Sequence, residues 1–102
     1  MVRLVDERKA YLDQEALDAL ERRLREDPEF NFSQFVRRCL RSDWTPPENP
    51  GGVALVYPPK KAYLDEPSLR AFEARARFPG WNFSHFVREA LKGVTGHWQQ
   101  LR

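Results

Sequence analysis

Apolar residues in this chain fall into helical stripes and short alternating runs, laid out as two successive copies of one pattern. In the first copy Leu17, Leu20 and Leu24 recur at a three-then-four spacing, and Phe35, Val36, Cys39 and Leu40 make a second stripe. Each stretch predicts a helix with one apolar face. The second copy has Leu69, Phe72 and Ala76, then Phe86, Val87, Ala90 and Leu91, in the same places. Ahead of each first helix runs a short segment, Lys9-Ala10-Tyr11-Leu12 or Lys61-Ala62-Tyr63-Leu64. Its alternation predicts a strand with Ala and Leu on one face and Lys and Tyr on the other, since the reverse would bury lysines.

Punctuation residues set the boundaries. Asp13 and Asp65 follow the strands as helix N-caps, with Gln14-Glu15 or Glu66-Pro67 in the first turn, where proline's fixed φ and missing N–H cost nothing. The first helices are expected to end near Asp27-Pro28 and Pro79-Gly80. Asn31 and Asn82 then cap the second helices.

The two copies are related by identity as well as by pattern. Lys9-Ala10-Tyr11-Leu12-Asp13 recurs unchanged as Lys61-Ala62-Tyr63-Leu64-Asp65, and Leu17, Ala19, Glu21, Arg23 and Arg25 match Leu69, Ala71, Glu73, Arg75 and Arg77 at the same offset. After the loss of one residue, Asn31-Phe32-Ser33, Phe35-Val36-Arg37 and Leu40 match Asn82-Phe83-Ser84, Phe86-Val87-Arg88 and Leu91. The chain thus divides into repeat 1 (residues 1–43), a Pro/Gly linker (44–52) and repeat 2 with a C-terminal tail (53–102). Extended at roughly 3.3 Å per residue, the stretch from Ser42 to Gly52 reaches well over 30 Å, enough to return the chain to a partner strand. The β-prone run Val53-Ala54-Leu55-Val56-Tyr57, with Val2 to Val5, either lengthens the strands or forms an edge that recruits another copy.

A lone strand-helix-helix unit leaves its strand unpaired and encloses too little core to be stable. Two such units solve this if their strands pair antiparallel above a shared helical core. The expected fold is therefore α+β, mostly helical, with an intramolecular pseudo-dimer built around a two-stranded ribbon.

Composition narrows the function classes. The chain has 102 residues, 41% hydrophobic and 31% charged, with a net charge of +2. It suits one compact cytoplasmic domain, without a signal peptide or a membrane span. Arginines interspersed with acidic residues read as a solvated helix face. Cys39 reads as a core thiol, and His85 and His97 lack ligand spacing, so no metal or cofactor is expected. Phosphate-loop, zinc-protease and nucleophile-elbow motifs are missing, which argues against an enzyme. Trp44, Trp81 and Trp98 are expected to cover the core or the linker.

The strands ending in Leu-Asp, the leucine-striped first helix and the Asn-Phe-Ser-x-Phe-Val-Arg opening of the second helix resemble the ribbon-helix-helix family of Arc and MetJ. Their presence twice in one chain resembles the tandem, TraY-type version. Ala10 and Ala62 depart from the family pattern, where a larger branched residue packs inward. The resemblance implies double-stranded DNA as partner, read by the outward strand residues Lys9, Tyr11, Lys61 and Tyr63 in the major groove, where lysine donates to guanine and tyrosine to a base edge or phosphate. Arg8 and Lys60 would flank this patch and attract phosphate. The turns Asn31-Phe32-Ser33 and Asn82-Phe83-Ser84, with His85, would hold the backbone at the helix N-termini, a family trait that fits the free N–H groups there. Plain alternatives stand beside these roles: Asn and Ser cap helices without DNA, and strand lysines keep a sheet soluble.

The implied activity is transcriptional repression or regulation, or the organisation of a plasmid or phage DNA site, with cooperative self-association on DNA as a further expectation. Residues 1–43 carry nine basic and ten acidic side chains and residues 44–102 eight and five, so the second half should attract DNA more strongly. The rival is a protein-interaction module, antitoxin-like or a phage-encoded inhibitor, that uses the same scaffold on a protein partner. The modest charge and three tryptophans favour it.

Overall fold

A computed structural model describes residues 3–49 and 51–93. They form an α+β fold in the order β1 (Leu4–Asp13), α1 (Gln14–Glu26), α2 (Phe32–Arg41), β2 (Leu55–Asp65), α3 (Glu66–Ala76) and α4 (Phe83–Lys92). β1 and β2 pair antiparallel as a two-stranded sheet. None of the described helices is long and apolar enough to cross a membrane.

The expected caps account for the helix starts. Asp13 Oδ1 accepts from the Ala16 N–H at 2.8 Å, and Asp65 and Ser68 exchange hydrogen bonds at 3.0 Å in a capping box with Pro67 in the first turn. Asn31 and Asn82 accept from the N–H groups of Gln34 and His85, both at 2.9 Å. α4 stops at Gly93, whose φ of 64° is the left-handed conformation that glycine tolerates.

In the ribbon Lys9 lies opposite Lys61, its counterpart in the repeat, with Arg8 opposite Ala62 and Ala10 opposite Lys60. Beyond a register shift, Leu12 and Asp13 pair with Val56 and Leu55. Residues 55–57 of the β-prone run therefore lengthen the ribbon, while Val2 lies outside the described residues.

Ala10, Leu12, Ala62 and Leu64 are fully buried on the helix side, as alternation requires. The small alanines leave room for the second helices to approach, whose apolar residues Phe35, Val36, Cys39, Leu40, Phe86, Val87, Ala90 and Leu91 are all buried. Burial pushes the Cys39 thiol up to about 12, so it is inert packing. Trp44 is buried with its ring 5.1 Å from Phe86, and Trp81 packs edge-on to Phe72. Trp98 and the rest of the tail after Gly93 lie outside the described residues.

The first helices depart from expectation. Leu24 is 43% exposed and Ala76 is exposed, and the buried residues of α1 are Ala16, Ala19 and Leu20. The inward face continues to an arginine in place of the third apolar residue. Arg23 stacks on Phe35 at 4.8 Å and donates to Leu91 O, and Arg75 stacks on Phe86 at 4.7 Å. The Arg75 guanidinium also donates to four carbonyls at the end of α2: Ser42 O at 2.7 Å, Trp44 O at 2.9 Å, Leu40 O at 3.2 Å and Cys39 O at 3.4 Å. Helix C-termini leave carbonyls without partners, and a cation there also meets the negative end of the helix dipole. These repeat-matched arginines are thus structural groups that link the two halves, and not part of a solvated face.

Arg75→Met keeps an apolar side chain beside Phe86 but removes the donor to the Leu40, Ser42 and Trp44 carbonyls. It is expected to lower unfolding free energy by about 2–3 kcal/mol, the scale of charged hydrogen bonds lost at a partly buried site, as measured by urea denaturation.

Candidate nucleic-acid interface

The face of the ribbon away from the helices is built by alternation around the central pair. Lys9 and Lys61 are exposed, Tyr63 is 39% exposed, and Tyr11 is half-buried. All four expected outward residues are brought together on this face. Two more residues join them. Tyr57, 69% exposed, sets its ring edge-on to Tyr11 at 5.8 Å, and Glu7, opposite Tyr63, reaches to 3.9 Å from Lys61 Nζ. Neither stands out in the sequence, although each lies an even number of residues from a central lysine. Tyr57 stood behind two prolines, which obscured the continuation of the strand.

Both tyrosines are held through their backbones by the other copy of the repeat. The Tyr11 N–H donates to Ser84 Oγ at 2.9 Å, and Arg88 Nη1 donates to Tyr11 O at 2.6 Å. The Tyr63 N–H donates to Ser33 Oγ at 2.9 Å, and Arg37 Nη1 donates to Tyr63 O at 2.7 Å. Serine and arginine stand four residues apart, one turn along the same helix face. Arg37 and Arg88 are buried, at 9% and 5% exposure. A two-stranded ribbon has two open edges, and these clasps satisfy the backbone groups that Tyr11 presents on one and Tyr63 on the other.

The same hydrogen bonds define the pairing type. Tyr63 directs both backbone groups away from β1, so Glu7–Tyr63 is a non-hydrogen-bonded pair, as is Lys9–Lys61 two residues further on. Side chains stand closest in such pairs, and like charges directly opposite are destabilising. The centre of the ribbon therefore sets two lysines directly opposite each other, with Glu7 beside one of them.

The other expected site residues separate into two groups. Asn31 and Asn82 are exposed at the starts of α2 and α4, where first-turn N–H groups lie outside the helical ladder. Phe32 and Phe83 pack their rings against the core, leaving only their backbones at these ends. Ser33 and Ser84 are there too, but their hydroxyls serve the clasps. His85 is placed differently from expectation: it is buried, with Nε2 2.7 Å from the carbonyl oxygen of Pro47, because the linker crosses over it. Arg8 also differs. It shares the helix-facing side with Ala10 and Leu12, lies 4.7 Å above the Phe72 ring and pairs with Asp6 at 2.9 Å. Lys60, its counterpart, is exposed at the edge of that same side, beside Leu17 and Pro58.

At one end of the ribbon Lys92 Nζ reaches Asp13 at 2.9 Å and Glu89 at 3.4 Å, tying α4 to the β1–α1 junction. Burial raises the Asp13 carboxyl, but the hydrogen bonds from Lys92 and Ala16 and the nearby cations outweigh it and hold the group below its ordinary value. Burial lowers Lys92, and its acidic partners more than offset this, holding it above its ordinary value. Away from the ribbon, a hollow of about 750 Å³ lies between the linker and the α3–α4 turn, with Pro46, Pro47, Trp81 and the 70% exposed Phe78 among its walls.

Comparison with family models, with curated proteins and with solved structures finds no match to this chain. The functional reading therefore rests on the geometry of the site.

The Asp13–Lys92 pair makes stability depend on pH. A carboxylate with a lowered folded pKa stabilises fully above its unfolded value, and the benefit is lost as pH falls through the folded value. Lys92 contributes fully below its unfolded value of about 10.4 and loses that only as pH rises through the folded one. Asp13→Asn keeps a helix cap and removes the charge. It should be less stable than wild type at pH 7, with the gap narrowing below about pH 4, in urea titrations across pH. A gap constant from pH 7 to pH 2 would show that the charge contributes nothing.

Proposed function

We propose that the protein binds double-stranded DNA in a sequence-specific manner, laying the β1–β2 ribbon in the major groove, as a regulator of transcription or an organiser of a DNA site. The observation that carries this reading is the outer face of the ribbon, where the exposed Lys9 and Lys61 lie directly opposite each other, flanked by Tyr11, Tyr57 and Tyr63. Like charges directly opposite are unfavourable on a sheet, and an anionic partner would relieve them. A two-stranded ribbon has the width of the major groove, lysine donates to guanine O6 and N7, and tyrosine can donate or accept at a base edge. Asn31 and Asn82 mark helix N-termini, whose first-turn N–H groups suit phosphate on either side of the groove.

In this reading the chain is a tandem ribbon-helix-helix protein, one polypeptide supplying both halves of a pseudo-dimer. The reciprocal contacts between halves support it: equivalent lysines oppose each other, and Ser33/Arg37 and Ser84/Arg88 make the same clasp on opposite edges. No cofactor and no catalytic step enter the proposal.

A second reading is favoured by the hollow beneath the linker. Its largely apolar walls and the exposed Phe78 suit an apolar side chain of a protein partner. Under that reading the scaffold serves as an interaction module, and the ribbon face is only a solubilising surface.

Selection of the purified protein on random-sequence duplex DNA across a salt series separates the two. DNA reading is expected to enrich a short motif with a steep salt dependence. Lys9→Ala with Lys61→Ala should abolish that enrichment while leaving unfolding free energy unchanged or slightly raised, because the like-charge pair is relieved. Weak binding with no enriched sequence, or a double variant that selects the wild-type motif, would sink the DNA reading in favour of a protein partner.

A further inference from the structure

The clasps on Tyr11 and Tyr63 do more than satisfy one residue on each sheet edge. We propose that Ser84 with Arg88, and Ser33 with Arg37, are positioning residues for base reading that act crosswise, so that α4 of the second repeat sets the aim of Tyr11 in the first and α2 of the first sets that of Tyr63. The inference rests on the DNA reading above and adds which residues determine its accuracy.

A tyrosine ring stands on two side-chain torsions, so its hydroxyl position follows the peptide planes on either side of its Cα. Recognition of a base edge needs that position held to about half an ångström by surrounding groups. On a regular strand the partner strand does this. Tyr11, however, falls at the register shift between Ala10 and Leu12, where the β1–β2 pairing skips it. Its N–H and C=O are instead both taken by α4, at 2.9 Å to Ser84 and 2.6 Å to Arg88. The backbone groups of Tyr63 are likewise taken by Ser33 and Arg37, but Tyr63 lies within regular pairing, between Leu64 opposite Asp6 and Ala62 opposite Arg8. Tyr11 therefore depends on its clasp more than Tyr63 does.

The arginines are suited to this task and unsuited to a phosphate. Their guanidinium groups are buried against the ribbon, and each has a backbone carbonyl as acceptor. The serines sit in the first turns of α2 and α4, whose starts would meet the DNA backbone. A phosphate docked there and a base met by the tyrosine would be joined through one hydrogen bond, which relates backbone register to base reading.

The test is a map of base preference at each position of the selected motif. Tyr11→Phe and Tyr63→Phe first identify the positions that each hydroxyl reads. Ser84→Ala should relax discrimination about tenfold at the Tyr11 positions and leave the Tyr63 positions unchanged. Ser33→Ala should act at the Tyr63 positions only, by about threefold, because the regular pairing of Ala62 and Leu64 on either side still holds that residue. Ser84→Thr, which retains the hydroxyl, should restore wild-type preference, and Arg88→Lys should relax the same positions as Ser84→Ala. Urea denaturation of each variant reports whether it is folded.

A uniform loss of affinity across all positions, or relaxation on the same-repeat tyrosine, would overturn the inference while leaving DNA reading in place. So would a Ser84→Thr variant no better than Ser84→Ala. If wild type enriches no motif, the DNA reading itself falls and this inference falls with it.

Discussion

The fold depends on the exchange of hydrogen bonds between each second helix and the opposite strand. A two-stranded ribbon is marginal by itself, since both edges offer unpaired backbone groups and one face is apolar. Ser33 with Arg37 and Ser84 with Arg88 fill those edges at Tyr63 and Tyr11. Because each clasp reaches across from the other repeat, neither half can complete its strand alone. The two copies stabilise one another, and the linker only needs to return the chain to the antiparallel start.

The same crossing recurs in the helix layer. Arg75 of α3 serves the open carbonyls at the end of α2, and Arg23 of α1 reaches Leu91 O at the end of α4. Each guanidinium also lies over a core phenylalanine, so its planar face is covered while its rim donates. Four arginines thus do the joining that a larger core would do by apolar area. This suits a short chain, whose hydrophobic interior is small. It also frees the solvent face of the ribbon to hold an unfavourable lysine pair.

The two halves are alike in their joints and unlike on their surfaces. Around the central lysines, one side of the face carries Glu7 beside Tyr63, and the other carries Tyr57 against Tyr11. The linker adds a second difference, since it packs over His85 of α4, where the first copy has Gln34 exposed at the matching place. Under the DNA reading, the halves of the bound site would accordingly differ.

Much of this was legible in the sequence, because local chemistry set it. The caps at Asp13, Asp65, Asn31 and Asn82, the inward alanines and leucines and the outward lysines and tyrosines all follow from spacing of two or 3.6 residues and from turn residues. The exact recurrence of Lys-Ala-Tyr-Leu-Asp made pairing of the copies the natural expectation. What the tertiary structure alone decided concerns groups whose partners are distant in sequence. Arg23, Arg37, Arg75 and Arg88 look like surface charges until the carbonyls of the other repeat are seen beside them, and the turning of Arg8 onto Phe72 and of His85 under Pro47 has the same origin. Periodicity reports which way a side chain points from its own element, whereas its role is set by what packs there, and that comes from another part of the chain.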